Sequence, residues 1–169
     1  AGVDVSITDT ANIVLGSITA SDALSVTSSG GSGAISQLGG TTLLITGDTT
    51  LNTTSTATTA NDITLANAGN DFGTVIVTNG GAVTLDDDIG DFDLGAMNVN
   101  TLSVNTLGNI TDSGVVVSSG DSIGLTAGVN VTLDQAQDWS DFTIAGVDVS
   151  ITDTANIVLG SITASDALS

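Results

Sequence analysis

No side chain in this 169-residue chain carries a positive charge: lysine, arginine and histidine are all absent. Cysteine, proline, tyrosine and glutamate are missing too, so all 19 acidic residues are aspartates and the formal net charge is -19. Each absence excludes something. Side-chain salt bridges within the chain are impossible. Binding to nucleic-acid phosphates rests on Lys and Arg, so DNA and RNA are not expected partners. Anionic membrane surfaces are excluded on the same ground. Without cysteine there is no disulfide scaffold and no thiolate metal site. Without proline every backbone N–H remains free to join a strand ladder. Trypsin-like proteases find nothing to cut, which suits an exposed, extracellular life. The usual nucleophiles and acid–base groups are scarce. Paired aspartates suffice for glycoside hydrolysis in principle, but no basic residue is present to hold an acidic sugar, and the chain is expected not to be an enzyme. No apolar run is long enough for a membrane-spanning helix, which takes roughly 18 residues or more. The N-terminus also lacks the basic-plus-apolar pattern of a signal peptide.

Repetition is the most informative feature that is present. Residues 1–25, AGVDVSITDTANIVLGSITASDALS, recur letter for letter as residues 145–169. The chain therefore reads as one full 144-residue unit (1–144) followed by the start of an identical one (145–169). A weaker repeat lies inside the unit. The segment from Asp4 to Val26 aligns with that from Ala82 to Val104, pairing Val5 with Val83 and Leu24 with Leu102. AISQLG (34–39) aligns with NITDSG (109–114), and residues 61–77 align with 129–144, where Trp139 replaces Phe72. Two diverged half-units follow, about 3–80 and 81–146.

The 40% hydrophobic content argues against disorder. Apolar residues alternate in short period-2 pairs such as Leu24/Val26, Ile63/Leu65, Val83/Leu85, Leu102/Val104, Val115/Val117 and Ile123/Leu125, separated by Gly, Asn, Asp and Ser. That is the pattern of short strands, and no helical periodicity is sustained. Strand starts recur roughly every twenty residues, the length of one solenoid coil. The expected fold is all-β: a parallel β-helix (β-solenoid) of about seven coils of roughly 20–28 residues. Coil starts are expected near Val3, Ala23, Asp48, Gly81, Thr101, Asp121 and Val147. The Thr-rich stretch 49–60 and residues 134–141 are expected to bulge as loops. Six coils per unit at ~4.8 Å each would advance roughly 29 Å. A two-sheet sandwich is the alternative, but it accounts less well for the coil spacing and the duplicated ends.

Three stretches carry a family resemblance: Leu102 to Val117, Asn61 to Gly73, and the Val-Thr-Leu-Asp…Leu-Gly…Val pattern from Val83 to Val99. They resemble the repeats of large filamentous-haemagglutinin-like bacterial surface proteins. The resemblance implies a right-handed coil, export to the cell surface, and service as an adhesin shaft or intercellular fibre. Partners would then be neighbouring identical repeats end to end, other filaments or surface glycans, with no membrane insertion. A calcium- and glycan-binding surface module, or a subunit of an S-layer or sheath, is the competing class.

The sharpest chemical feature is DDDIGDFD, with Asp86, Asp87, Asp88, Asp91 and Asp93. Ca2+ takes six to eight oxygen ligands, and carboxylates clustered in a turn can supply them. The plainer reading is a solvated corner whose Ile89, Phe92 and Leu94 point inward. The corresponding corner of the first half-unit, 8–14, keeps only Asp9. Gly69 to Gly73 resembles part of a calcium-binding nonapeptide turn but occurs once, as an ordinary Asn/Asp turn would. The Thr-rich run 49–59 could present hydroxyls to ice or glycans. Trp139 and Phe72 could stack on sugars, or simply pack. Asn-x-Thr occurs at Asn52, Asn109 and Asn130, as expected in so Asn- and Thr-rich a chain.

Overall fold

A computed structural model describes residues 2–54, 60–135, 137, 141–152 and 159–169, and the backbone alone at Asp121. All seventeen strands among these residues pair in parallel, and there is no helix. The chain is a β-solenoid of about seven turns whose strands fall into three stacks. The first face stacks Val5–Asp9, Leu24–Ser28, Thr49–Thr53, and then residues 75–79, 97–99 and 116–118 of three longer strands. The second stacks Ile13–Leu15, Ile35–Gln37, Ile63–Leu65, residues 83–85, 102–104 and 123–125, then Phe142–Gly146 and Ser161–Ala164. The third begins with Ile18–Ala20, Leu43–Ile45 and Asp71–Phe72. It continues through Phe92, Ile110–Asp112, Val131–Leu133 and Val149–Ile151, with Leu168 bridged to Val149. The Phe72 and Phe92 rings meet edge to face at 6.3 Å where the two parts of this face join.

Alternation builds the interior. Leu24, Val26, Leu51, Ile63, Leu65, Val75, Leu85, Leu94, Ile110, Leu125, Val131 and Ile144 are all fully buried or nearly so. Each full burial contributes about 1.5–3 kcal/mol, and only because turns above and below complete the cover. Val5, Ile7 and Ile18 at one end, and Ile151, Ile162 and Ala164 at the other, are only partly buried. Turns differ in length, from the short one that runs from Thr143 to its partner Ser161 to the long one from Ile35 to Ile63. The variation is taken up at the corners. Gly69 holds a left-handed backbone (φ 84) at one of them. At another, a Cβ on Gly108 would fall on the Gly90 carbonyl oxygen.

The described parts of the duplicated segments pair alike, but on different faces. Val5 pairs with Leu24 on the first face, and its copy Val149 pairs with Leu168 on the third. The backbone N–H of Val5 donates to the Ala23 carbonyl at 2.8 Å, and that of Val149 to Ala167 at 2.8 Å. Between them, Val83 pairs with Leu102 on the second face. From Val5 in the first turn to Val149 in the seventh, the chain makes six and two-thirds turns. The axial advance is therefore about 32 Å at the inter-strand spacing, not the roughly 29 Å of six whole turns. The expected coil starts change phase for the same reason. Those near Val3, Ala23 and Asp48 precede the first face, those near Gly81, Thr101 and Asp121 the second, and Val147 the third.

Other expectations need correction. Residues 49–53 of the Thr-rich stretch form a strand with Thr49, Leu51 and Thr53 buried, not a loop. Residues 55–59 lie outside the described residues. Val115 and Val117 face outward, and Val116 and Ser118 face inward. Three consecutive valines fit either parity. The choice falls to the Ile110/Asp112 alternation before them and to the register that sets Val116 over Met97. Val116→Asp is expected to cost about 4 kcal/mol, and Val117→Asp to stay within about 0.5 kcal/mol of the parent, in chemical denaturation. The reverse order would overturn this register.

Candidate functional site: the acidic corner

The DDDIGDFD segment turns the corner from the second face to the third in the fourth turn. Strand alternation from Val83 through Leu85 brings Asp87 inward, where it is fully buried. Its carboxylate accepts three backbone N–H bonds, from Ile89 at 3.0 Å, Gly90 at 3.2 Å and Phe72 at 3.0 Å. It pins its own turn and ties it to the turn below. Asp88 accepts from the Gly69 N–H at 3.2 Å. Asp91 accepts from the Asn109 backbone at 2.9 Å and side chain at 2.8 Å. Asp93 accepts from the hydroxyls of Thr74 at 3.0 Å and Ser113 at 2.6 Å. Asp86 bonds the Asn105 side chain. The five carboxylates are thus drawn towards different partners, several in the turns below and above. Among the described residues no three acidic side chains form a group that could hold a metal. Phe92 and Leu94 are buried as expected, but Ile89 is 57% exposed and points outward.

Asp91 belongs to a longer device. The Asp91 Oδ1 accepts the Asn109 N–H, the Asn109 Oδ1 that of Asn130 at 3.1 Å, the Asn130 Oδ1 that of Asp148 at 3.1 Å, and the Asp148 Oδ1 that of Ala167 at 3.0 Å. Asp4 to Ala23, Asn12 to Ala34 and Asp62 to Ala82 repeat it on the other faces. Each Asx side chain satisfies a backbone donor at the corner of the next turn. Two sequons, Asn109 and Asn130, are members of this ladder.

Sequence reasoning missed the interior polar pairs. Asn70, fully buried, exchanges amide bonds with Gln37 at 2.8 and 3.0 Å and accepts the Leu43 N–H at 3.0 Å. The Gly69–Gly73 segment therefore carries an interior staple. Gln137, also buried, donates to Asp112 and accepts the Val116 N–H at 2.9 Å. Trp139 lies outside the described residues. Extending the alternation Ile35/Gln37, Leu85/Asp87 and Ile110/Asp112 would have marked Gln37, Asp87 and Asp112 as inward.

Burial raises the pKa of Asp87 above the ordinary aspartate value, against the lowering effect of its three N–H donors. Burial likewise raises Asp112 against the N–H groups of Asp134 and Gln135. It also raises Asp86, which Asn105 opposes and the neighbouring Asp88 charge reinforces. A carboxyl whose folded pKa lies above its unfolded value stabilises the fold fully below the unfolded value, and that contribution is lost as pH rises through the folded one. The melting temperature is therefore expected to rise as pH falls from 7 towards 4, measured by circular dichroism. A fall over that range would contradict the assignment. Since the carboxylates do not converge, Ca2+ and Mg2+ at equal ionic strength should shift melting equally, as screening requires. A Ca2+-specific rise would show a site.

No curated protein and no solved structure is a significant match to the chain. A family model described as repeats of unknown function matches residues 2–79 and again 80–145. On those two matches, which together span most of its length, the chain belongs to the family of repeats of unknown function DUF5649.

Proposed function

We propose that this chain is a structural repeat of a long extracellular bacterial filament or adhesin shaft. Its work is reach and stiffness: it holds contact-making parts away from a cell surface, or connects cells directly. One observation carries this reading. The second copy of the duplicated segment repeats two bonds of the first: the Val5 N–H to Ala23 and Val149 N–H to Ala167 carbonyl bonds, both 2.8 Å, and the Asp4 to Ala23 N–H and Asp148 to Ala167 N–H bonds at 3.2 and 3.0 Å. A unit whose far end repeats these contacts of its own start can be extended without a new kind of interface. Each added unit buries the strand edges and half-covered side chains of the one before, deferring the exposed-edge hazard to the true ends. Export to a bacterial surface rests on the likeness to filamentous-haemagglutinin-like repeats and on the absence of tryptic sites.

Arrays of one, two and three 144-residue units, each followed by residues 145–169, provide the test. Small-angle scattering is expected to give rods of constant cross-section that lengthen by about 32 Å per unit. Globular particles, or units that fold as separate beads on a flexible string, would overturn the shaft reading.

A further inference from the structure

We infer that an array of this unit is a threefold screw: each successive unit turns by one face, so the same surface appears on all three sides of the shaft in succession. The inference rests on the shaft reading and specifies how one copy of the unit seats on the next. It begins from the half-units. Val5–Leu24, Val83–Leu102 and Val149–Leu168 are equivalent pairs by sequence, and they occupy the first, second and third faces. Two further equivalences obey the same step. Ile35, on the second face, corresponds to Ile110, on the third. Ile63, on the second, corresponds to Val131, on the third. Each of these steps spans three and a third turns. The side-chain ladder follows the step, since Asp62 to Ala82 and Asn130 to Asp148 are equivalent bonds on successive faces. A 144-residue unit of two such steps cannot return to its starting face.

The seat for the rest of the second unit is the open end, where Ser161–Ala164 and Leu168 each cover the strand below and carry no strand above among the described residues. Ile151, Leu159, Ile162 and Leu168 line an apolar depression there. In the first copy, the equivalent Leu24 begins a strand that carries Thr49–Thr53 on its free edge. A following unit would lay its own third turn there in the same register, but on the third face of the shaft. Applied three times, the rule brings the chain back to its starting face after twenty turns, about 96 Å along the axis. The acidic corner, present in the second half-unit alone, would visit all three edges of the shaft at intervals of about 32 Å. A shaft so built has no unique side. Anything that recognises one unit laterally meets the same surface from three directions, and meets it again in line only at every third unit.

The test places one label per unit on a rod. Thr19 on the third face and its copy Thr163 on the second are both exposed. A six-unit array carrying Thr19→Cys in every unit, coupled to gold clusters through the otherwise absent thiol, is imaged by electron microscopy. The expected result is labels on three sides, with same-side labels about 96 Å apart. Labels confined to one side at intervals of about 32 Å would overturn the inference and leave the shaft reading intact. Absence of a rod would overturn the shaft reading itself.

Discussion

Every strand here must lie in register on the strand one turn below it, and the rest of the molecule follows from that constraint. A parallel ladder satisfies each strand's backbone groups only through neighbours about twenty residues away in sequence, so no turn is stable alone. The interior is correspondingly made of columns rather than a centre. Val83, Leu102 and Ile123 stand one above another, as do Leu85, Val104 and Leu125. Columns tolerate exchange among Val, Ile and Leu but not a change of parity, because a one-residue slip turns the whole strand inside out. That is why the outward Val115 and Val117 matter less to stability than Val116 between them.

Corners are where such a ladder would fail, since the chain bends and the backbone donors lose their neighbours. Asn and Asp side chains repair it by reaching up one turn to the orphaned N–H. The arrangement also gives several of the aspartates a structural use. Aspartate can serve as corner acceptor in place of asparagine, and Asp91, Asn109, Asn130 and Asp148 do the same job in four consecutive turns. The carboxylates of Asp87 and Asp112 go further and pin loops from inside the coil. Hydrogen bonds from the backbone stand in for the cations that the sequence lacks, and where burial outweighs them the affinity for a proton rises.

Much of this was legible in the sequence because period-2 pairs and twenty-residue spacing are direct imprints of the stacked strand. The interior lists itself: Leu24/Val26, Ile63/Leu65 and Leu102/Val104 needed no structure to place. The acidic corner was harder. Five aspartates within eight residues look like one site, but a corner fans side chains outward, inward and along the axis, and their partners lie in other turns at sequence distances that no local motif displays. Gln137 and Asp112 are 25 residues apart, and nothing in either neighbourhood announces the pair. The phase of the coils was hidden for a related reason. Counting residues measures the contour of the chain, and corners of variable length make contour a poor gauge of turns.

Strand positions keep better count than residues do. The path from Val5 to Val83 is longer than that from Val83 to Val149, yet each advances three and a third turns, because the difference is spent at corners. A half-unit can shift by one face at each repeat only if all three faces offer it the same environment. The Val–Leu pair satisfies that condition in turn on the first, second and third faces. Duplication of a segment with a whole number of strands, but not of turns, is therefore harmless to the ladder: each new strand still finds a parallel neighbour one turn below. What duplication changes most is the outside, since Val, Ile and Leu line the interior on all three faces while the surface residues differ. Rotation of the surface about a mainly aliphatic core is the consequence, and the ladder accepts it without a break.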